Sequence, residues 1–197
     1  MAVYSLAPSP PLGVGENSFA TWDNGFTTEQ IESIRAIGDA LPLNPATVGG
    51  GNVTNTMRIS ETGWIGLNPD STFIYDNLGF IARQLNGQFF DLDLFGFVED
   101  IQYTVYRENG GHYGWHIDRG IGGGNPPRKL SLVMQLSDPS EYEGGDLEIF
   151  TELEPIQMEK KQGLVVAFPS FVLHRVTPVT SGTRRTLVVW LSGPKFR

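Results

Sequence analysis

From Phe89 to the C-terminus the sequence breaks into short runs of alternating apolar and polar residues, bounded by Gly, Pro, Asn or Asp. A period of two sends successive side chains to opposite faces of a strand, so each run must stack its apolar face on another layer. Strands are expected near 100–107, 113–118, 129–137, 145–150, 163–168, 171–177 and 183–192. The run from Lys129 to Leu136 is the clearest, with Leu130, Leu132, Met134 and Leu136 on one face. The 24 glycines and 13 prolines supply the turns that so many short strands require.

Two helical patterns precede the strands. Ile31, Ile34, Ile37 and Leu41 recur at helical spacing after a Thr27/Thr28 cap, with Gln30 placed to complete a capping box and Pro42 to end the helix. A second stripe, Ile74, Leu78, Ile81 and Leu85, follows Asp70 or Ser71 as cap and runs to about Gly87. Residues 1–25 read as an irregular arm, because the prolines between Ala7 and Gly13 fix φ and remove donors, with Phe19 and Trp22 pinning its end. The expectation is an α+β, mainly β chain: a jelly roll with N-terminal buttressing helices. Residues 26–197 form one domain in this reading, 26–99 as helical support and 100–192 as the strand core.

Composition narrows the function. A net charge of −8 with no Lys/Arg-rich run argues against a nucleic-acid partner. With no cysteine, disulfides, zinc–thiolate sites and thiol nucleophiles are excluded, and a reducing cytoplasm fits best. No secretory leader or membrane-length apolar run appears, so the expectation is a soluble protein with no membrane partner. Oligomeric state is left open.

Within Tyr113–Gly120, His116 and Asp118 stand two residues apart, on one face of an extended chain. An H-x-D pair alone is a weak signal, since a histidine in a β-rich chain is more often a hydrogen-bonded core residue. Only three histidines occur, however: His112, His116 and His174. Two histidines and one carboxylate make the facial triad that holds non-haem Fe(II) with positions left open. Ten residues after His174 comes Arg184, across a Pro- and Gly-containing segment read as a tight turn that sets the two at the same end of neighbouring strands. A guanidinium there can grip a carboxylate through two parallel hydrogen bonds. Arg184, Thr186, Val188 and Trp190 share one strand face, while Arg185 faces away and suits a surface ion pair.

Tyr106, Tyr113, His116, Asp118, Glu143–Leu147, Gly163–Ser170, His174, Arg184 and Trp190, in that order and spacing, resemble the prolyl-4-hydroxylase-like branch of the 2-oxoglutarate/Fe(II)-dependent dioxygenase superfamily. The resemblance covers roughly residues 100–192. It implies a double-stranded β-helix with Fe(II) on His116, Asp118 and His174. It further implies 2-oxoglutarate as cosubstrate on Arg184 and Tyr106, with ascorbate a further candidate. Tyr113 and Trp190 would then flank the substrate space, and Trp115 and Arg119, beside the ligands, are candidate substrate contacts. The implied reaction uses O2 to hydroxylate a prolyl or other residue in a peptide or protein, with 2-oxoglutarate converted to succinate and CO2. The same chemistry on a free amino acid or small metabolite is the alternative, and a non-catalytic jelly-roll binding module is the alternative of another class. The glycine-rich stretch Arg119–Arg128 reads equally as a lid or a plain connector.

Overall fold

The structure is a computed structural model that describes residues 17–47, 56–118, 127–151 and 153–195. The first half holds β1 (Ala20–Trp22), α1 (Thr28–Asp39), β2 (Asn44–Pro45), β3 (Arg58–Ile59), β4 (Glu61–Ile65), α2 (Thr72–Leu85) and β5 (Gly96–Phe97). The second holds β6 (Ile101–Arg107), β7 (His112–His116), β8 (Arg128–Gln135), β9 (Tyr142–Gly144) and β10 (Leu147–Phe150). It continues with β11 (Pro155–Gln157), β12 (Val165–Pro169), β13 (His174–Val176) and β14 (Val179–Ser192).

Two antiparallel sheets result. The larger runs β1-β12-β8-β14-β6-β4-β2, with β5 and β9 also paired to β14; the smaller runs β11-β10-β13-β7-β3. Together they are the double-stranded β-helix, or jelly roll, expected from the sequence. β9 and β11 are short strands that period-two reading does not reveal, being only three residues each.

Helix α1 starts where expected, on a full capping box: Gln30 N–H donates to Thr27 Oγ1 at 3.3 Å and Thr27 N–H to Gln30 Oε1 at 2.9 Å. Ile31 and Ile34 of α1, with Ile74, Leu78, Ile81 and Leu85 of α2, are buried against the larger sheet in one apolar cluster. From the sheet, Leu130, Leu132, Met134, Ile101, Tyr103, Leu187 and Val189 join that cluster. The alternate residues on the same strands point the other way, and there Tyr106, Val133, Val166 and Phe168 meet Leu147, Ile149 and Val176 of the smaller sheet in a second cluster. Strands β6, β8 and β14 thus bury both faces, one against helices and one into the cleft between sheets. That second face carries the site.

Candidate metal centre and cosubstrate pocket

The extended run that begins β7 ends at His116, so Asp118 lies just beyond the strand rather than on it. Its position is set instead by its N–H, which donates to Ser170 O at 2.9 Å. His174 opens β13 and is paired in register with His116. The three side chains converge, with the candidate ligand atoms all within 4.8 Å of one another. Asp118 Oδ1 lies 3.6 Å from His116 Nε2 and Oδ2 lies 3.6 Å from His174 Nε2.

Both imidazoles are held by carbonyls two residues back along the chain. His116 Nδ1 sits 2.8 Å from Gly114 O and His174 Nδ1 sits 3.0 Å from Val172 O. A carbonyl can only accept, so each Nδ1 carries the proton and each Nε2 presents its lone pair to the shared centre. Burial pushes the His174 pKa down, outweighing the pull of Asp118, which keeps that ring neutral. Burial alone would raise the Asp118 pKa, but His174 and His116 outweigh it and hold the carboxyl well below the usual range.

The carboxylate has further support. Ser131 Oγ donates to Asp118 Oδ2 at 2.8 Å, and Ser131 and Ser170 hydroxyls lie 2.9 Å apart. Since Ser131 has one proton and gives it to the carboxylate, Ser170 must donate to Ser131. Arg128 pairs bidentately with Glu99 at 2.6 and 2.5 Å, lies 3.6 Å over the Trp190 ring, and reaches Asp118 O at 3.4 Å. The Trp190 indole N–H faces the carboxylate closely enough to help hold its pKa down, without closing a hydrogen bond.

Arg184 is 1% exposed, the largest fully buried side chain in the protein's described residues. Its Nη2 donates to Gln135 Oε1 at 3.0 Å, while Nε and Nη1 are buried without a partner. Tyr106 pairs with it in register, its ring 5.3 Å from the guanidinium carbon. Two more buried hydroxyls without a partner, Thr186 Oγ1 and Tyr142 OH, belong to the same neighbourhood. Thr186 is two residues along the same face of β14 and is paired with Gln135. Tyr142 and Arg184 both flank Gly145, where a Cβ would stand 3.4 Å from Tyr142 Cε2 and 3.0 Å from Arg184 Cδ. Gly145 also has φ +61, so a side chain is excluded there twice over. Four buried donors therefore lack an acceptor, a costly arrangement unless a ligand supplies one.

Of the other residues expected at the site, Tyr113 stacks on His116 with ring centroids 3.4 Å apart, and Trp190 lies beside Asp118, between Arg128 and the ring of Trp64. Trp115 does not join them. It meets Phe150 edge-on and lies under Arg175, residues that alternate with the inward-facing Ile149 and His174, so it sits on the outer face of the smaller sheet. Alternation from its neighbour His116 sends it there; the bulge, with two residues between Tyr113 and His116 on β7 but one between their partners Val176 and His174 on β13, is what lets Tyr113 share the face of His116. Arg119 and most of the glycine-rich stretch lie outside the described residues. The expected tight turn after His174 is also different: β14 already begins at Val179, and β13 and β14 belong to different sheets. His174 and Arg184 thus face one another across the cleft. Arg185 takes the surface ion pair, with Asp39 at 3.0 Å.

The cleft of this jelly roll brings together two imidazoles, one carboxylate and a buried, unpaired guanidinium, a donor set that could hold one metal ion beside an anion pocket. Residues 101–192 match the model of the 2OG-Fe(II) oxygenase superfamily. A PKHD-type hydroxylase of Teredinibacter turnerae is 42% identical over 96 residues, which are 46% of this chain and 41% of that protein. The chain therefore spans about two-fifths of the length of the curated relatives it matches. The fold is shared with a prolyl-4-hydroxylase of Pseudomonas putida (TM-score 0.71, 22% identity, 90% of this chain and 94% of that one). It is shared also with a Trichoplax adhaerens prolyl hydroxylase solved with a hypoxia inducible factor peptide fragment (TM-score 0.74, 16% identity, 90% and 84%). Residues 101–192 are thus similar to the 2OG-Fe(II) oxygenase superfamily, and the fold is the one seen in the prolyl hydroxylase structures.

Sequence reading missed Ser131, Ser170, Gln135 and Tyr142. For Ser131 and Gln135 the signal was available only in part: with Lys129 they make polar three of the four places on one face of β8, interrupted by Val133, which reads as a wet face until the second sheet is known.

Proposed function

We propose that the protein is an Fe(II)- and 2-oxoglutarate-dependent dioxygenase that hydroxylates a prolyl or other residue in a peptide or protein, releasing succinate and CO2. The observation that carries this is Arg184, a buried guanidinium with two unpartnered N–H groups in the same cleft as three converging metal-ligand atoms. The donor set fits the cofactors: two imidazoles and a carboxylate suit Fe(II), and four orphan donors suit a carboxylate, whose two oxygens accept about four hydrogen bonds.

His116, Asp118 and His174 would hold the metal, each imidazole through Nε2 because its Nδ1 is committed to a backbone carbonyl. Bound there, Fe(II) with 2-oxoglutarate and O2 supplies the oxidation that splits CO2 from the oxo acid and hydroxylates a C–H bond. Arg184, assisted by the Tyr142 and Thr186 hydroxyls, anchors the far carboxylate of 2-oxoglutarate, and Gln135 keeps the guanidinium in place. Tyr106 lies against the same guanidinium and serves the same pocket. Tyr113 and Trp190 wall the space beside the metal and exclude water from it, which also offers two aromatic faces to a proline ring. The peptide-bound relative from Trichoplax adhaerens supports a peptide substrate.

Succinate formation with proline-containing peptides, dependent on Fe(II) and abolished in His174→Ala, is the expected outcome. Turnover confined to free amino acids or small metabolites would overturn the peptide assignment. Metal affinity equal in wild type, His116→Ala and Asp118→Ala would overturn the oxygenase assignment itself.

A further inference from the structure

Eight arginines lie in the described residues, and five have a carboxylate oxygen within 3.0 Å: Arg35, Arg107, Arg128, Arg175 and Arg185. Among the other three, Arg83 is exposed on α2. The remaining two, Arg184 and Arg58, are both buried in the cleft. Arg58 is 8% exposed and reaches from the smaller sheet toward the larger. Its Nε donates to Ser60 Oγ at 2.7 Å and its Nη2 to Gln102 Oε1 at 3.1 Å, and its guanidinium carbon lies 4.6 Å from the Tyr113 ring centroid. All three partners are neutral. The Tyr113 ring is the one stacked on His116, so this second unpaired cation stands one aromatic ring away from the metal ligands.

A buried charge without a counter-charge is costly, and an isosteric apolar residue would avoid the cost. Arg184 has an evident missing partner in the cosubstrate. Arg58 has none within the described residues, and two residues beside it are exposed: Met57, its neighbour in the chain, at 38%, and Trp64 at 46%. Trp64 is paired in register with Gln102, the residue Arg58 holds, so an exposed aromatic surface rises beside the cation. We infer that Arg58 is the binding site for a carboxylate on the substrate, placed next to the residue that is hydroxylated. This rests on the oxygenase reading above and adds the chemical class of the substrate: an acidic one. The carboxylate can come from a free peptide C-terminus or from an Asp or Glu side chain beside the target residue. With a net charge of −8, the protein offers no general attraction to an acidic peptide, so recognition falls to this local pairing.

The test is calorimetric titration of the Mn(II)- and 2-oxoglutarate-loaded protein with matched probes. One pair is acetyl-Ala-Pro with a free carboxylate against its amide; the other is acetyl-Glu-Pro-Ala-amide against acetyl-Gln-Pro-Ala-amide. A charge-assisted hydrogen bond to a desolvated guanidinium predicts that one acidic member binds roughly ten- to a hundredfold more tightly than its neutral twin. The first pair favours a C-terminal source, the second a side-chain source. Arg58→Gln should erase the preference and leave Mn(II) and 2-oxoglutarate affinities unchanged, while Arg58→Lys, which keeps the charge, should retain part of it. Equal binding within both pairs, the same preference in Arg58→Gln, or weakened 2-oxoglutarate binding in Arg58→Gln would each overturn the inference. Failure of the wild type to bind Mn(II) or 2-oxoglutarate would instead strike the oxygenase reading, and this inference with it.

Discussion

Replacing Ser131 with alanine removes a single oxygen from a fully buried position, and its effect should be read in metal affinity rather than in stability. In the native protein Ser131 Oγ donates to Asp118 Oδ2 at 2.8 Å and receives the Ser170 proton. The variant leaves that carboxylate oxygen without this donor and Ser170 without this acceptor. Two consequences oppose each other. A carboxylate relieved of a donor is more basic and attracts a cation more strongly. The same carboxylate, no longer oriented from that side, is free to rotate away from the two Nε2 atoms. Partners that orient metal ligands are typically worth ten- to a hundredfold in affinity, so orientation should win, with a loss of roughly tenfold, about 1.4 kcal/mol. Manganese(II) binding followed by electron paramagnetic resonance at neutral pH measures this directly. Ser131→Thr, which keeps the hydroxyl, should recover most of the affinity. Unchanged or tighter Mn(II) binding in Ser131→Ala would refute the claim that this hydroxyl positions Asp118.

Tyr142→Phe should weaken 2-oxoglutarate binding by roughly ten- to a hundredfold if its hydroxyl reaches the far carboxylate, with Mn(II) affinity unchanged. Competition with a 2-oxo acid lacking that carboxylate, which should bind wild type and variant alike, checks the assignment. Leu78→Ala, at a side chain with no exposure between α2 and the larger sheet, should cost about 2 to 5 kcal/mol in urea unfolding; a loss under about 1 kcal/mol would mean that α2 does not pack there in solution. Burial would raise the Asp39 pKa, but the hydrogen bonds from Tyr103 and Arg185 outweigh it and hold it below 3.8. A depressed pKa contributes stability that is present above the unfolded value and lost as pH falls through the folded one. Asp39→Asn should therefore lower Tm near neutrality, and the gap to wild type should close below pH 3.8; a gap that persists there would refute the charge-based account.

Which parts of this site were readable from sequence follows from what each signal depends on. His116, Asp118 and His174 stood out through residue type and scarcity, and needed no knowledge of pairing. The alternation from Leu130 to Leu136 marked one face of β8 as buried, and that face does pack on the helices. It also made Ser131 and Gln135 look solvated, because alternation cannot distinguish water from a polar cleft roofed by a second sheet. Trp115 is singled out by its place beside the ligands, yet immediate neighbours on a strand face opposite ways, so alternation from His116 already sends it outward. What alternation does not show is that Tyr113, three residues from His116, shares its face, because the bulge between them shifts the register of β7. The separation of β13 and β14 into different sheets was equally invisible, since a Pro-Gly segment is compatible with a hairpin and with a crossing between layers.

The opposite commitments of the two faces of β8 give that strand a reading frame. Removing one residue ahead of Ser131 would send Ser131 and Gln135 toward the helices and Leu130 and Met134 toward the metal, so oily groups and hydroxyls would trade places. Removing two residues would shorten the strand but keep each kind of side chain on its own side. A deletion scan through this strand should therefore show damage that oscillates with odd and even length, a rhythm that a strand with one indifferent face has no means to produce.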